Sequence, residues 1–359
     1  MRIRLTKKAK ILLTKTVCFI VAAAALIFAF GMIPTLARIL PRVLIASADV
    51  AYEGDTAPVF ALTEESDEEP EESDTENSEP DDESESEPPE PLPVPGEDDL
   101  PVFSQNLCWY GADETPGLYV INESRYSVEL KDYVNRSFPV TATITDEPIV
   151  LIMHTHGSES YLESGYGFYS PDETFRSTDE DKTVVHIGEL LCEQLNSLGI
   201  PTLHDDTMYD IEDFNSSYTY SFKGIKQWLS DYPSIKFVID LHRDSIFDSD
   251  GNNVKPITEI DGESVAQIMV VTGTDQGTVS HPNWKNNLTF SAYLQQKLCE
   301  LYPTLARPVN VRTSAFNQQL TSGSILLEVG SCGNTIDEAE RAVILFARAY
   351  ADVLKENLS

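Results

Sequence analysis

Cysteine is scarce in this chain and nowhere paired. The 359 residues hold five cysteines, none in a Cys-x-x-Cys spacing, so the signatures of a zinc ribbon or a thioredoxin-like redox centre are missing. Cys18 lies in an apolar run near the N-terminus, and Cys192 and Cys299 fall inside apolar helical patterns, where a thiol behaves as a small buried hydrophobe. Basic residues are also few: Lys and Arg total 25 against 59 Asp and Glu, a net charge of −34. Nineteen of the acids sit between Glu64 and Asp99 without one Lys or Arg, and the rest of the chain still carries −15. A nucleic-acid partner, which needs a basic face, is excluded. There is no Gly-x-Ser-x-Gly elbow, and no Gly-x-Gly-x-x-Gly follows a strand, so neither an α/β-hydrolase nucleophile nor a dinucleotide fingerprint is present.

What is there begins with a basic tail over residues 1–15, holding Arg2, Arg4, Lys7, Lys8, Lys10 and Lys15 and no acid. An apolar stretch over 16–37 has the length of a bilayer-spanning helix, and the basic flank would keep the N-terminus cytoplasmic. The competing reading is a cleaved signal peptide with Ala46-Ser47-Ala48 as its processing site, but that site lies well beyond the apolar core. Either way the remainder is extracytoplasmic. Residues 38–100 form a juxtamembrane segment and an acidic linker, too poor in apolar residues to fold and extended by its own charge. Residues 101–359 form the extracytoplasmic domain.

In that domain strands alternate with helices. Strands are predicted at Pro148–Met153, Ile200–His204, Lys236–Leu241, Val309–Thr313 and Ser324–Val329, and helices at Thr183–Leu198, Ser221–Asp231, Leu288–Leu301 and Asp337–Leu354. The runs Lys255–Glu259 and Ala266–Thr272 are expected to pair as a hairpin around Asp261-Gly262. The pattern predicts an α/β fold with a mixed, mostly parallel sheet and helices on both faces. In such sheets, sites gather beyond the carboxyl ends of strands.

Three strand ends carry chemistry there: Met-His154-Thr-His156-Gly-Ser-Glu159, Ile-Asp240-Leu-His242-Arg-Asp, and Leu-Leu-Glu328-Val-Gly. A lone buried carboxylate is costly unless a cation answers it. Zinc hydrolysis needs three nitrogen or oxygen ligands, an open position and a nearby base. His156 and Glu159, in His-x-x-Glu spacing, and His242 are the expected zinc ligands, with Glu328 as the base. His154 is the alternative to His156, whichever of the two is not a ligand binding substrate or orienting its neighbour. Asp240 shares a strand face with His242 and is placed to accept a hydrogen bond from it. Arg243 either grips a substrate carboxylate or neutralises Asp244. Arg176 and His204 are further substrate-binding candidates, while His186 and His281 read as structural or surface residues. Ser158 and Ser160 lie beside the histidines, but a serine hydrolase would leave Glu328 and His242 without roles.

These segments, together with Arg176-Ser-Thr-Asp179, His204-Asp205, Tyr218, Pro282-Asn283-Trp284 and Glu328-Val-Gly-Ser, resemble the stage II sporulation protein P family over about residues 145–350. The resemblance implies a zinc-dependent N-acetylmuramoyl-L-alanine amidase related to zinc carboxypeptidases, with Asn283 a further substrate-binding candidate. It implies a peptidoglycan substrate, a membrane anchor, a role in engulfment during sporulation, and partners like stage II sporulation proteins D and M. A zinc endopeptidase or carboxypeptidase on stem-peptide crosslinks, or a non-enzymatic wall-binding scaffold, are the alternatives. Gly157-Ser158 and Ser331-Cys332-Gly333-Asn334 depart from the family pattern. Related amidases often take their carboxylate ligand from the start of the following helix, which makes Glu180 the alternative to Glu159.

Overall fold

A computed structural model describes residues 92–108 and 118–359. They belong to one compact unit, Ser86–Ser359. The expected basic tail, apolar span and most of the acidic linker lie outside the described residues. Among the described residues, no helix is long and apolar enough to cross a membrane.

Among the described residues, twelve strands and five α-helices follow one another as β1 (Leu100–Pro101), β2 (Phe103–Gln105), β3 (Val120–Asn122), α1 (Lys131–Val134), β4 (Val150–Met153), β5 (Phe168–Tyr169), α2 (Val184–Ser197), β6 (Thr202–His204), α3 (Ser217–Asp231), β7 (Phe237–Asp244), β8 (Val254–Ile260), β9 (Glu263–Ala266), β10 (Ile268–Gly273), α4 (Trp284–Leu301), β11 (Val309–Arg312), β12 (Gly323–Ser331) and α5 (Ile336–Asn357). The main sheet has the order β3-β11-β10-β12-β7-β4-β6. Every pairing in it is parallel except β10 with β12, so the expected mixed, mostly parallel sheet is what forms.

β7 and β12 sit centrally and are almost wholly buried, which is why Phe237-Val238-Ile239 and Ile325-Leu326-Leu327 are apolar toward both faces. One face packs under α2, α4 and α5 through Ile152, Ile239, Leu327, Leu191, Phe290 and Phe346. The other packs α3 through Ile225 onto Leu151, Met153 and Val238. Helices therefore cover both faces.

The helix boundaries follow local chemistry. Thr183 caps α2 by accepting from Val185 N at 3.2 Å, and Gly199 closes it at φ +73°, a conformation that costs a side-chain-bearing residue. Thr335 and Glu338 form a capping box at the start of α5, satisfying amides the helix leaves unpaired.

The expected hairpin needs correction. Asp261 and Gly262, at φ +55° and +83°, do make the tight turn, but they join β8 to β9. The apolar run after Gln267 leaves the hairpin as β10 and enters the main sheet, where its buried face finds a larger core.

Candidate metal and hydrolytic site

β4 and β7 run side by side, with Met153 opposite Asp240. Thr155 latches the end of β4 to β7 by donating its amide to Asp240 Oδ1 at 2.8 Å and its hydroxyl to Oδ2 at 2.7 Å. This fixes the turn after β4, and the turn, rather than strand parity, which would keep residues two apart on one face, sends the two histidines to different sides. His154 shares its side of the sheet with Ile152 and faces α2, whereas His242 shares its side with Asp240 and faces α3.

His154 Nδ1 lies 2.9 Å from the Leu241 carbonyl, which can only accept, so Nδ1 carries the proton and Nε2 accepts from His204 Nε2 at 2.8 Å. Burial pushes the His154 imidazole down to about 3 and lowers that of His204. Gly188 of α2 makes room for the pair; a Cβ there would collide with both rings. His154 and His204 are thus packed beneath α2 and are not brought to His242's side.

His156 is brought there. Its ring stacks on Phe214 at 4.5 Å, meets Tyr218 edge-on, and lies 5.4 Å from the His242 ring. His242 Nδ1 is 3.3 Å from Glu159 Oε2, and Nε2 is 2.9 Å from Asp240 Oδ1, though off the line of a hydrogen bond. Glu328, directly opposite His242 on β12, completes the group. A bulge follows it between Glu328 and Ser331, with Gly330 at φ +65°; bulges beside sites re-aim side chains in this way. His156, Glu159, His242 and Glu328 line one cleft of about 230 Å³ with Tyr218, Arg243, Arg312 and Phe316.

The electrostatics are polarised. Burial alone would raise Glu159, but His242, Arg243 and His156 outweigh it and hold the carboxyl at about 2. Burial would lower His242, yet Asp240 and Glu159 hold it well above the usual histidine range. Glu328 goes the other way: burial and the nearby Asp244 raise its carboxyl to about 8, against a partial pull from His242.

The remaining candidates are placed as follows. Arg176 donates from Nη1 to Asp210 at 2.8 Å and Ser158 at 2.9 Å and lies over the Phe214 ring, bracing the His156 loop. Arg243 neither neutralises Asp244 nor points free into the cleft; it is buried against Glu159, Ser160, Phe175 and Ser245. Asp244 pairs instead with Arg307 at 2.8 Å. Glu180 stands exposed in a short 3₁₀ turn, and Asn283 donates to the Thr321 carbonyl at the start of α4. His186 pairs with Glu340, and His281 is buried against Asn287. Asp210, Arg307, Phe214 and Phe316 escaped the sequence, since nothing in their local pattern marks them.

Among the described residues, no three His, Cys, Asp or Glu side chains already stand in the arrangement of a formed metal site. The donor set nonetheless suits a zinc ion: two imidazoles and a carboxylate, His156 and Glu159 from the loop after β4 and His242 from β7. His156 Nδ1, His242 Nε2 and Glu328 Oε2 are buried without a hydrogen-bond partner, a cost a folded protein rarely bears without a use for it.

A model of the stage II sporulation protein P (SpoIIP) family matches residues 44–351, and the chain belongs to that family. It is 30% identical over 231 residues to stage II sporulation protein P of Bacillus subtilis (strain 168), covering 61% of this chain and 53% of that protein. The chain therefore spans about half the length of that relative. Among solved structures, the CwlD amidase from Clostridioides difficile, in complex with the GerS lipoprotein, is 16% identical, with 58% of this chain and 98% of that one covered at a TM-score of 0.36. The N-acetylmuramoyl-L-alanine amidase AmiC2 of Nostoc punctiforme is 14% identical, with 58% and 96% covered and a TM-score of 0.34.

Proposed function

We propose, with membership of the SpoIIP family as the premise, that this chain is a sporulation peptidoglycan hydrolase that cleaves the amide between N-acetylmuramic acid and the L-alanine of the stem peptide. The observation that carries this is the convergence of His156, Glu159, His242 and Glu328 from three strand ends on one cleft. A zinc ion held by His156, Glu159 and His242 would polarise the scissile carbonyl and acidify a water molecule.

The chain's own groups do the rest. Phe214 and Tyr218 hold the His156 ring, Asp240 fixes the turn before it through Thr155, and His242 and Arg243 keep the Glu159 carboxylate ionised. Glu328 Oε2, walled in and unpartnered, takes the proton from the attacking water in its ionised form, which the charge of a bound zinc ion would favour, and returns it to the leaving amine. On the same family grounds the domain works outside the membrane on a single-pass anchor with a cytoplasmic N-terminus, beside partners like sporulation proteins D and M.

Glu328→Gln is expected to retain zinc and lose turnover by about 10²–10⁴-fold, the usual worth of a positioned acid–base group, whereas His242→Ala loses both. Zinc analysis with dye release from labelled cell wall checks this; an active Glu328→Gln protein removes Glu328 as the base. Mass spectrometry of the digest separates the bond cleaved: free glycan with intact stems supports the amidase, and shortened stems support a peptidase.

A further inference from the structure

The sheet face that carries His242 and Glu328 is covered unevenly. α3 lies over Leu151, Met153 and Val238, but over β10 and β12 the packing onto Met269, Val271 and Leu326 comes from Phe316. Phe316 and Asn317 take φ +50° and +57°, a strained conformation for residues with side chains. Asn317 is tied down by donating to Tyr218 O and Ser221 Oγ. What remains is a groove floored by Val271 and Leu326, with His156, His242 and Glu328 toward one end and Arg312 at the other.

Strand directions set its length. β12 and β7 are parallel, β10 is antiparallel to β12, and β11 is parallel to β10. Glu328 stands opposite Met269, and Arg312 opposite Gly273. Arg312 is therefore four residues along and three strands across from His242. At about 3.4 Å per residue and about 4.8 Å between strands, the two backbones lie roughly 20 Å apart. The long arginine side chain takes up part of that distance, leaving a span of roughly three to four extended residues.

The charge at the far end is available. Arg312 Nε is 3.3 Å from Glu123 Oε1, with side chains 41% and 47% exposed, and such a surface pair is weak and readily exchanged. Arg243, the other guanidinium lining the groove, is buried and engaged by Glu159 and backbone carbonyls.

Resting on the proposed activity, we infer that this groove is the stem-peptide subsite, and that Arg312 is its specificity residue, reading a free carboxylate within the first three residues beyond the scissile amide. The apolar floor takes the aliphatic alanine. The planar guanidinium fork suits a carboxylate and gains nothing from its amide.

The test uses two probes: N-acetyl-L-alanyl-γ-D-glutamyl-L-lysinamide, which has one free carboxylate, and its D-isoglutamine counterpart, which has none. Titrated calorimetrically against the full chain in detergent, the acid form should bind at least about tenfold more tightly, as one charge-assisted contact predicts. Arg312→Gln should erase that preference by weakening the acid form alone, and Arg312→Lys should restore part of it. On cell wall, Arg312→Gln should raise KM and leave kcat nearly unchanged. The inference is overturned if Arg312→Gln keeps the preference, or if the unaltered protein shows none or binds neither probe. Wall hydrolysis without a preference would spare the amidase proposal and remove this one; an Arg312-dependent preference without hydrolysis would do the reverse.

Discussion

Arg243 is 6% exposed, and each part of its side chain is spent: Nε on Ser160 O, Nη1 beside Glu159 and Ser245, Nη2 on Phe175 O. Removing one partner of a buried ion pair leaves the other charge unanswered, at a typical cost of about 3–5 kcal/mol. Arg243→Gln is therefore expected to lower stability by that order in urea denaturation. Arg243→Lys should rescue little, because one ammonium cannot replace a fork with several fixed contacts; a loss below about 1 kcal/mol would refute the clamp. The sequence showed the histidines and Glu328 because strand ends announce themselves by composition. It could not show Arg243's partners. Asp244 is its neighbour in sequence, but successive residues on a strand point to opposite faces, and Asp244 takes Arg307 from 63 residues away.

Gly188 sits mid-helix in α2, where glycine is normally a liability. Its place is explained by the His154–His204 pair, which a methyl group would strike. Gly188→Ala should destabilise the domain by about 1–3 kcal/mol as an overpacking change, despite alanine's better helix propensity. A chemical-denaturation midpoint that rises instead would show that the rings move aside freely. Helices and central strands were legible to within a few residues, since their periodicities are strong. α3 starts four residues before its predicted Ser221 because Ser217 and Tyr218 carry no apolar signal. β10 was assigned to the wrong partner because a hairpin turn is a local signal, whereas sheet membership is decided by distant strands.

Across the domain, burial lowers the imidazoles of His154 (to about 3), His156, His204 and His281 below the ordinary value. The unfolded chain therefore binds protons that the folded one refuses, and stability falls as pH drops below about 6.5. Glu328, raised to about 8, opposes this by holding a proton when folded. His242, raised, acts above pH 6.5 and is level below it. Four imidazoles act in one direction and one carboxyl in the other. The metal-free chain should lose on the order of 1–3 kcal/mol between pH 6.5 and 5 in urea titrations, and Glu328→Gln should make that loss steeper; a flat profile would contradict the burial of these rings. The order of the main sheet has a consequence for biogenesis. β12, the last of the described strands in chain order, slots between β7 and β10 and brings Glu328 with it, so a chain synthesised only through β11 holds His156, Glu159 and His242 without the fourth member of the group. The cleft is thereby left open on one side until nearly the whole length of the domain has been made.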